Sequence, residues 1–192
     1  MKNPVEHSIN PLFAARWSPY GFDATRAVSR TDLEAIFEAA RWTMSAFNAQ
    51  PWRYIVGVRG RSQETWDGVF DSLLEGNQGW TKNVPVLALG LAERHYEHNG
   101  KPNKTAFHDL GAASAALTFE ATARGLAVHQ MAGINPDRAR RIFELDEDTQ
   151  PFTALAIGYA AESIDEQDEF AKRDQQPRVR KPLSELIVRG GF

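Results

Sequence analysis

The sequence predicts one compact unit in which helices and short strands alternate, and three observations carry that expectation. The chain has 192 residues, 42% of them apolar, enough for one core of ordinary proportions. Three segments, Trp52 to Val58 (WRYIVGV), Val84 to Ala92 (VPVLALGLA) and Phe152 to Ala160 (FTALAIGYA), are short and either β-branched, aromatic or continuously apolar, as strands are. Around them lie stretches whose apolar residues recur at the spacing of one helix face. No internal repeat or low-complexity tract points to a solenoid or an array.

Each element follows from its residues. Thr31 and Glu34 form a capping-box pair ahead of Leu33, Ile36, Phe37 and Ala40, so a helix starts at Thr31 and runs up to SAFNAQPW at 45–52. After the strand 52–58, Trp66, Val69, Phe70, Leu73 and Leu74 share one face of a helix over 62–74, which Gly76-Asn77 closes. The run 84–92 is a strand covered on both faces, and 93–104, with Gly100 and Pro102, is a polar loop. GAASAA at 111–116, flanked by Leu110, Leu117 and Ala121, lets other backbone approach closely and marks 105–124 as the central buried helix. Gly125 ends it, 126–131 is a short strand or extended segment, and Asn135-Pro136 caps a helix over 136–145. Beyond the strand 152–160, the stretch 162–181 is acidic and then basic, too polar to pack on its own core. PLSELIV at 182–188 turns apolar again, as a terminus does when it docks elsewhere.

Composition narrows the function. A net charge of −3 supplies no positive field for nucleic acid or anionic lipid. No apolar run approaches the roughly 20 residues of a membrane span, and the first residues, MKNPVEHSIN, have no leader pattern, so a cytoplasmic location is expected. Without cysteine, disulfides, thiol nucleophiles and Cys-based metal sites are excluded. Redox chemistry would have to come from a bound organic cofactor or a His/carboxylate metal site. P-loop, GxGxxG, GxSxG and HExxH patterns are absent. His95-Tyr96-Glu97-His98 lacks a third ligand and reads as a solvated loop, and Asp109 reads as a first-turn carboxylate at a helix N-terminus.

SAFNAQPW places Ser45, Asn48 and Gln50 just before a proline and a strand-opening tryptophan, which suits a flat ring with a polar edge. Arg16-Trp17-Ser18 near one end and Arg178-Val179-Arg180 near the other offer planar guanidinium forks, which match a phosphate bidentately. Taken together and in this order, these motifs resemble the FMN-dependent nitroreductases over nearly the whole chain. The opening Arg16 to Phe22 echoes the family's R-R-S-x-R-x-F pattern. Thr43 to Trp52 matches its S-x-x-N-x-Q-P-W segment, with Met44 where proline is usual. Asp109, Gly111, Ala113, Gly125, Leu126 and Gly133 match its D-x-G-x-A helix and the following segment, and Arg178, Arg180 and Pro182 match its basic close.

The resemblance implies an α+β fold with a central, mainly antiparallel sheet wrapped by helices, in an intertwined homodimer. Residues 1–162 would form the FMN-binding core and 163–192 an arm of the same domain crossing to the partner subunit. FMN would lie at the interface, its phosphate held by Arg16, Ser18, Arg178 and Arg180, with Trp17 and Tyr20 beside them. Met131, Ala132 and Gly133 would sit by flavin N5, Asn77 on the pyrimidine side, and Met44, Ser45, Ala46, Asn48 and Gln50 would approach from the other subunit. Tyr20 and Trp80 stand where the family often carries cations near N1; Lys82 is the nearest substitute. The implied activity is ping-pong hydride transfer from NADH or NADPH through N5 to a nitroaromatic, quinone or similar small electron acceptor. The alternatives are a flavin-binding, redox-sensing dimer without significant turnover, or a superfamily dehalogenase or oxygen-dependent flavoenzyme.

Overall fold

A computed structural model of the chain describes residues 3–162 and 169–191. In chain order the elements are α1 (Pro11–Ala15), α2 (Arg30–Arg41), a 3₁₀ turn (Ala46–Asn48), β1 (Trp52–Val58), α3 (Gln63–Ser72), α4 (Glu75–Thr81) and β2 (Val86–Glu93). There follow α5 (Ala106–Ala123), β3 (Ala127–Met131), α6 (Pro136–Ile142), β4 (Thr149–Gly158), α7 (Glu169–Asp174) and α8 (Leu183–Leu186).

The four strands form one sheet in the order β1-β2-β4-β3, antiparallel at every pairing. The fold is therefore α+β, as the resemblance implied. Alternate residues of β2 feed two cores. Val86 and Ala88 face α2 and α5, with Ile36, Leu110, Leu117, Leu155 and Ile157. Leu87 and Leu89 face α3 and α6, with Trp66, Val69, Leu73, Ala139 and Ala154. The β2/β4 register shifts at Gly90/Leu91, opposite Thr153 and Pro151. A proline has no N–H for the ladder, and a bulge is where a sheet tolerates one.

Three local expectations are corrected. The first helix is capped by Ser29, whose Oγ accepts from the Asp32 N–H at 3.0 Å, so the capping pair lies two residues before Thr31. That helix ends at Arg41 rather than at Ser45, because the Glu38 carboxylate collects Arg41 and the Trp42 indole N–H in the last turn. Gly76 and Asn77 do not close a helix but sit inside α4. Their predecessors Leu73 and Leu74 leave the helix because the backbone of 133–134 takes their polar groups, through a Leu73–Ile134 bridge and a Leu74 N–H to Gly133 C=O bond of 3.0 Å. Gly125 ends α5 as expected, at φ +75°, with the Leu126 N–H reaching back to the Ala121 carbonyl at 2.8 Å.

The polar arm is also corrected in part. The carboxylate of Asp174 accepts from the N–H groups of Tyr20 and Gly21 at 2.9 Å, and Phe170 packs on the Tyr20 ring at 5.7 Å, so α7 rests on the chain's own body. Polar composition did not prevent this, because one carboxylate is matched by two backbone donors. The opening of the expected arm, 163–168, lies outside the described residues. Among the described residues no helix is long and apolar enough to cross a membrane.

Candidate functional site

The first group of expected site residues meets where the two ends of the chain converge. Arg16 follows α1, and its Nη1 donates to Ser18 Oγ at 3.3 Å. Arg178 arrives from the C-terminal segment, its guanidinium 4.9 Å from the centroid of the Trp17 ring. Its Nη1 donates to Asn3 Oδ1 at 2.6 Å, and its Nη2 is buried without a hydrogen-bond partner. Burial, then the charge of Arg180, pulls the Arg16 pKa down. Burial, then the charges of Arg16 and Arg180, does the same to Arg178, with Asp174 opposing weakly. Among the described residues no carboxylate comes within ion-pairing distance of these three arginines. Three clustered guanidiniums, two of them pulled down by burial and by neighbouring positive charge and one of those with a buried idle donor, form a place for an anion.

Next to this cluster lies a cavity of about 310 Å³ lined by Arg16, Ser18, Ala115, Thr118, Val128 and Gln130. Gln130 is fixed by donating to the Ser114 carbonyl and Thr118 Oγ1, at 3.1 and 3.0 Å. The edge strand β3 carries Val128 and Gln130 straight on to Met131, Ala132 and Gly133. Asn77 belongs with that segment: its Nδ2 donates to the Gly133 carbonyl at 2.9 Å, and its Oδ1 accepts from the Trp80 indole at 3.3 Å. A side chain at Gly133 would fall 2.5 Å from Asn77 Nδ2, so glycine is what allows the amide to close on the loop. The Asn77 side chain is thus engaged in holding 131–133.

The third group, 44–50, is held elsewhere. Phe47, Asn48 and Gln50 all have φ near +50°, a left-handed conformation that costs side-chain-bearing residues energy and that surrounding bonds must enforce. The enforcing bonds are visible. Ser45 Oγ accepts from the Gln50 N–H at 3.0 Å, the Gln50 side-chain amide donates to the Asn48 carbonyl at 3.1 Å, and Asp109 Oδ2 accepts from the Ala46 N–H at 3.2 Å. Phe47 and Met44 project outward, Phe47 84% exposed. Phe47 leans on Tyr96, 5.8 Å between centroids, and His95 of the same polar loop pairs with Asp148. Asp109 anchors this loop at the start of α5, whereas Thr118 by the arginine cavity lies nine residues along the helix, roughly 14 Å away. A single chain therefore brings the arginine cluster and the 131–133 segment near one another, but not the 44–50 loop.

Tyr20 faces inward, packed edge-on against Trp80 at 5.2 Å and His129 at 4.8 Å. Trp80 is buried, and Lys82 is exposed just past α4. Asn3, Gln130 and the loop-anchoring part played by Asp109 escaped the sequence reading. Asn3 belongs to no motif, Gln130 was not singled out, and Asp109 was read as a first-turn carboxylate and as the opening of the D-x-G-x-A resemblance rather than as a loop anchor. Among the described residues no group of three or more His, Asp or Glu could hold a metal ion.

The sequence profile of the nitroreductase family matches residues 13–76 and 57–159. The chain belongs to the nitroreductase family. Among solved nitroreductase-like structures, an oxidoreductase containing FMN superposes with a TM-score of 0.89 and 34% identity, covering 99% of this chain and 96% of that one. An uncharacterized 15.4 kDa protein of Mycolicibacterium smegmatis is 32% identical over 147 residues, 72% of this chain and 95% of its own length. A Streptomyces coelicolor protein provisionally named an NADH dehydrogenase/NAD(P)H nitroreductase is 29% identical over 170 residues, covering 78% and 82%.

In this nitroreductase-family chain the aromatic cluster carries one titration. Burial holds the His129 imidazole below its ordinary value of 6.5, against weaker opposing effects of the Pro19 carbonyl and Asp174. The unfolded chain therefore takes up that proton first, so stability is full above about pH 6.5 and falls as the pH drops below it. His129→Phe is expected to flatten that fall below about pH 6.5, as read from urea midpoints across pH. An unchanged slope would assign the loss to other groups.

Proposed function

We propose that the protein is an FMN-dependent NAD(P)H oxidoreductase acting on small electron-poor acceptors such as nitroaromatics or quinones. The observation that carries this reading is the cluster of Arg16, Arg178 and Arg180, unneutralised by any described carboxylate and holding a buried guanidinium nitrogen with nothing to bond, beside a cavity bounded by β3. A phosphate fits that donor set in charge and geometry. FMN, when bound, supplies acceptance and donation of hydride at N5. The chain's part is to bind and orient: the arginines and Ser18 grip the phosphate, Gln130 and the segment 131–133 flank the body of the ligand, and Asn77 keeps that segment in place. No acid or base is required of a side chain.

The separation of the 44–50 loop from the cluster supports a homodimer in which a second copy lends that loop to the site. The exposed side chains of Trp42, Met44 and Phe47, and of Leu186 and Val188 near the C-terminus, are surfaces that such a copy would cover. The protein that reconstitutes with FMN is expected to be yellow, to bleach with NADH or NADPH in the absence of oxygen, and to recover colour with a nitroaromatic or quinone. It should sediment at twice the chain mass. Colour that survives both nicotinamides would favour a flavin-binding protein without turnover, and protein left colourless by excess FMN would end the proposal.

A further inference from the structure

We propose that Asn3 is the positioning residue of the anion site, an uncharged amide that aims Arg178 at the ligand's phosphate while leaving the cluster's charge unspent. The inference rests on the reading that Arg16, Arg178 and Arg180 receive that phosphate.

One side chain makes both halves of the argument. Asn3 Nδ2 donates to the carbonyls of Phe13 and Arg16 at 2.7 and 2.8 Å, and its backbone N–H donates to the Ala14 carbonyl at 2.7 Å. These are carbonyls at the end of α1 that have no partner within the helix. The other end of the same amide, Oδ1, accepts from Arg178 Nη1 at 2.6 Å. Asn3 therefore fixes the Arg178 guanidinium relative to the backbone of Arg16, and so sets the spacing of two forks that come from opposite ends of the chain. With Nη1 taken by Asn3 and one face over Trp17, the fork has few orientations left, and its Nη2 is kept buried and unbonded.

Chemistry explains why the orienting group is an amide. A carboxylate at this position would accept from Arg178 equally well, but it could not donate to the Phe13 and Arg16 carbonyls, and it would cancel one positive charge beside the phosphate. Arginines in folded proteins are commonly oriented by carboxylates; here, among the described residues, none lies within ion-pairing distance of the three, so the field of the cluster is available to a ligand.

The test is titration of full-length protein, freed of flavin, with FMN and with riboflavin, which lacks the phosphate. Asn3→Asp, close in size, is expected to weaken FMN binding about tenfold or more, leave riboflavin binding unchanged and reduce the salt dependence of FMN affinity. Asn3→Ala should weaken FMN selectively without that change in salt dependence. Wild-type protein that binds FMN and riboflavin equally would overturn the phosphate reading itself. Wild-type selectivity that persists in both variants, or an equal loss of both ligands, would overturn the role of Asn3 and leave that reading standing.

Discussion

Arg178→Ala is expected to raise the dissociation constant for FMN by about two orders of magnitude while changing riboflavin binding little. A charge-assisted hydrogen bond contributes about 1.5–3 kcal/mol, and truncating one member of a desolvated charged pair costs about 2–5 kcal/mol; about 2.7 kcal/mol is a hundredfold. The guanidinium removed is half of the pair that Asn3 aligns, and its buried Nη2 has no other partner. Flavin-free Arg178→Ala should melt no lower than the flavin-free parent, because what is removed is a desolvated cation facing two others. Parallel flavin titrations and thermal melts decide it. A variant that binds FMN as tightly as the parent would place the phosphate elsewhere.

Gly57→Ala is expected to leave little folded protein. A Cβ at Gly57 would fall on the backbone N and Cα of Trp66, with the Thr65 carbonyl carbon at 2.9 Å. Neither backbone can retreat freely. β1 is paired with β2 along its length, and α3 is tied down by the Trp66 indole, which donates to the Val84 carbonyl at 3.0 Å. Overpacking of side chains typically costs about 1–3 kcal/mol, and a clash between two backbones exceeds that, against a total stability of about 5–15 kcal/mol for a domain. Urea unfolding of whatever is soluble measures the loss. A wild-type midpoint would mean that α3 can lift from the sheet at small cost.

The two ends of this range of effects also show how much could be read beforehand. The strands 52–58, 84–92 and 152–160 and the buried helix 105–124 were legible because burial on both faces, or a run of small residues, leaves a continuous mark on the sequence. The true start of α2 was not, since Ser29/Asp32 and Thr31/Glu34 offer the same capping chemistry two residues apart. The break between α3 and α4 carries no local signal either; it exists because residues 133–134, some 60 positions on, claim the backbone of Leu73 and Leu74.

The candidate site divides in the same way. Arginine forks and the S-x-x-N-x-Q-P-W segment announce themselves through residue type, since phosphate binding and a polar ring edge require particular side chains. What the 44–50 residues do within the chain was not announced: Ser45 and the left-handed Phe47, Asn48 and Gln50 form a strained loop tied by its own short-range bonds and anchored by Asp109, 63 positions on.

By itself, then, the sequence determined a cysteine-free, mildly acidic domain of alternating helices and strands, with its donor residues near both termini and at 45–50. Those properties follow from composition and short-range periodicity, which act through neighbours in the chain. Only the tertiary structure decided that Arg16 and Arg178 meet across Asn3, that Asn77 serves the 131–133 segment, and that the 44–50 loop is anchored about half the length of α5 away from the arginine cavity. Such pairings are set by which surfaces the two cores bring together, and no local pattern encodes the partner of a hydrogen bond 175 residues away.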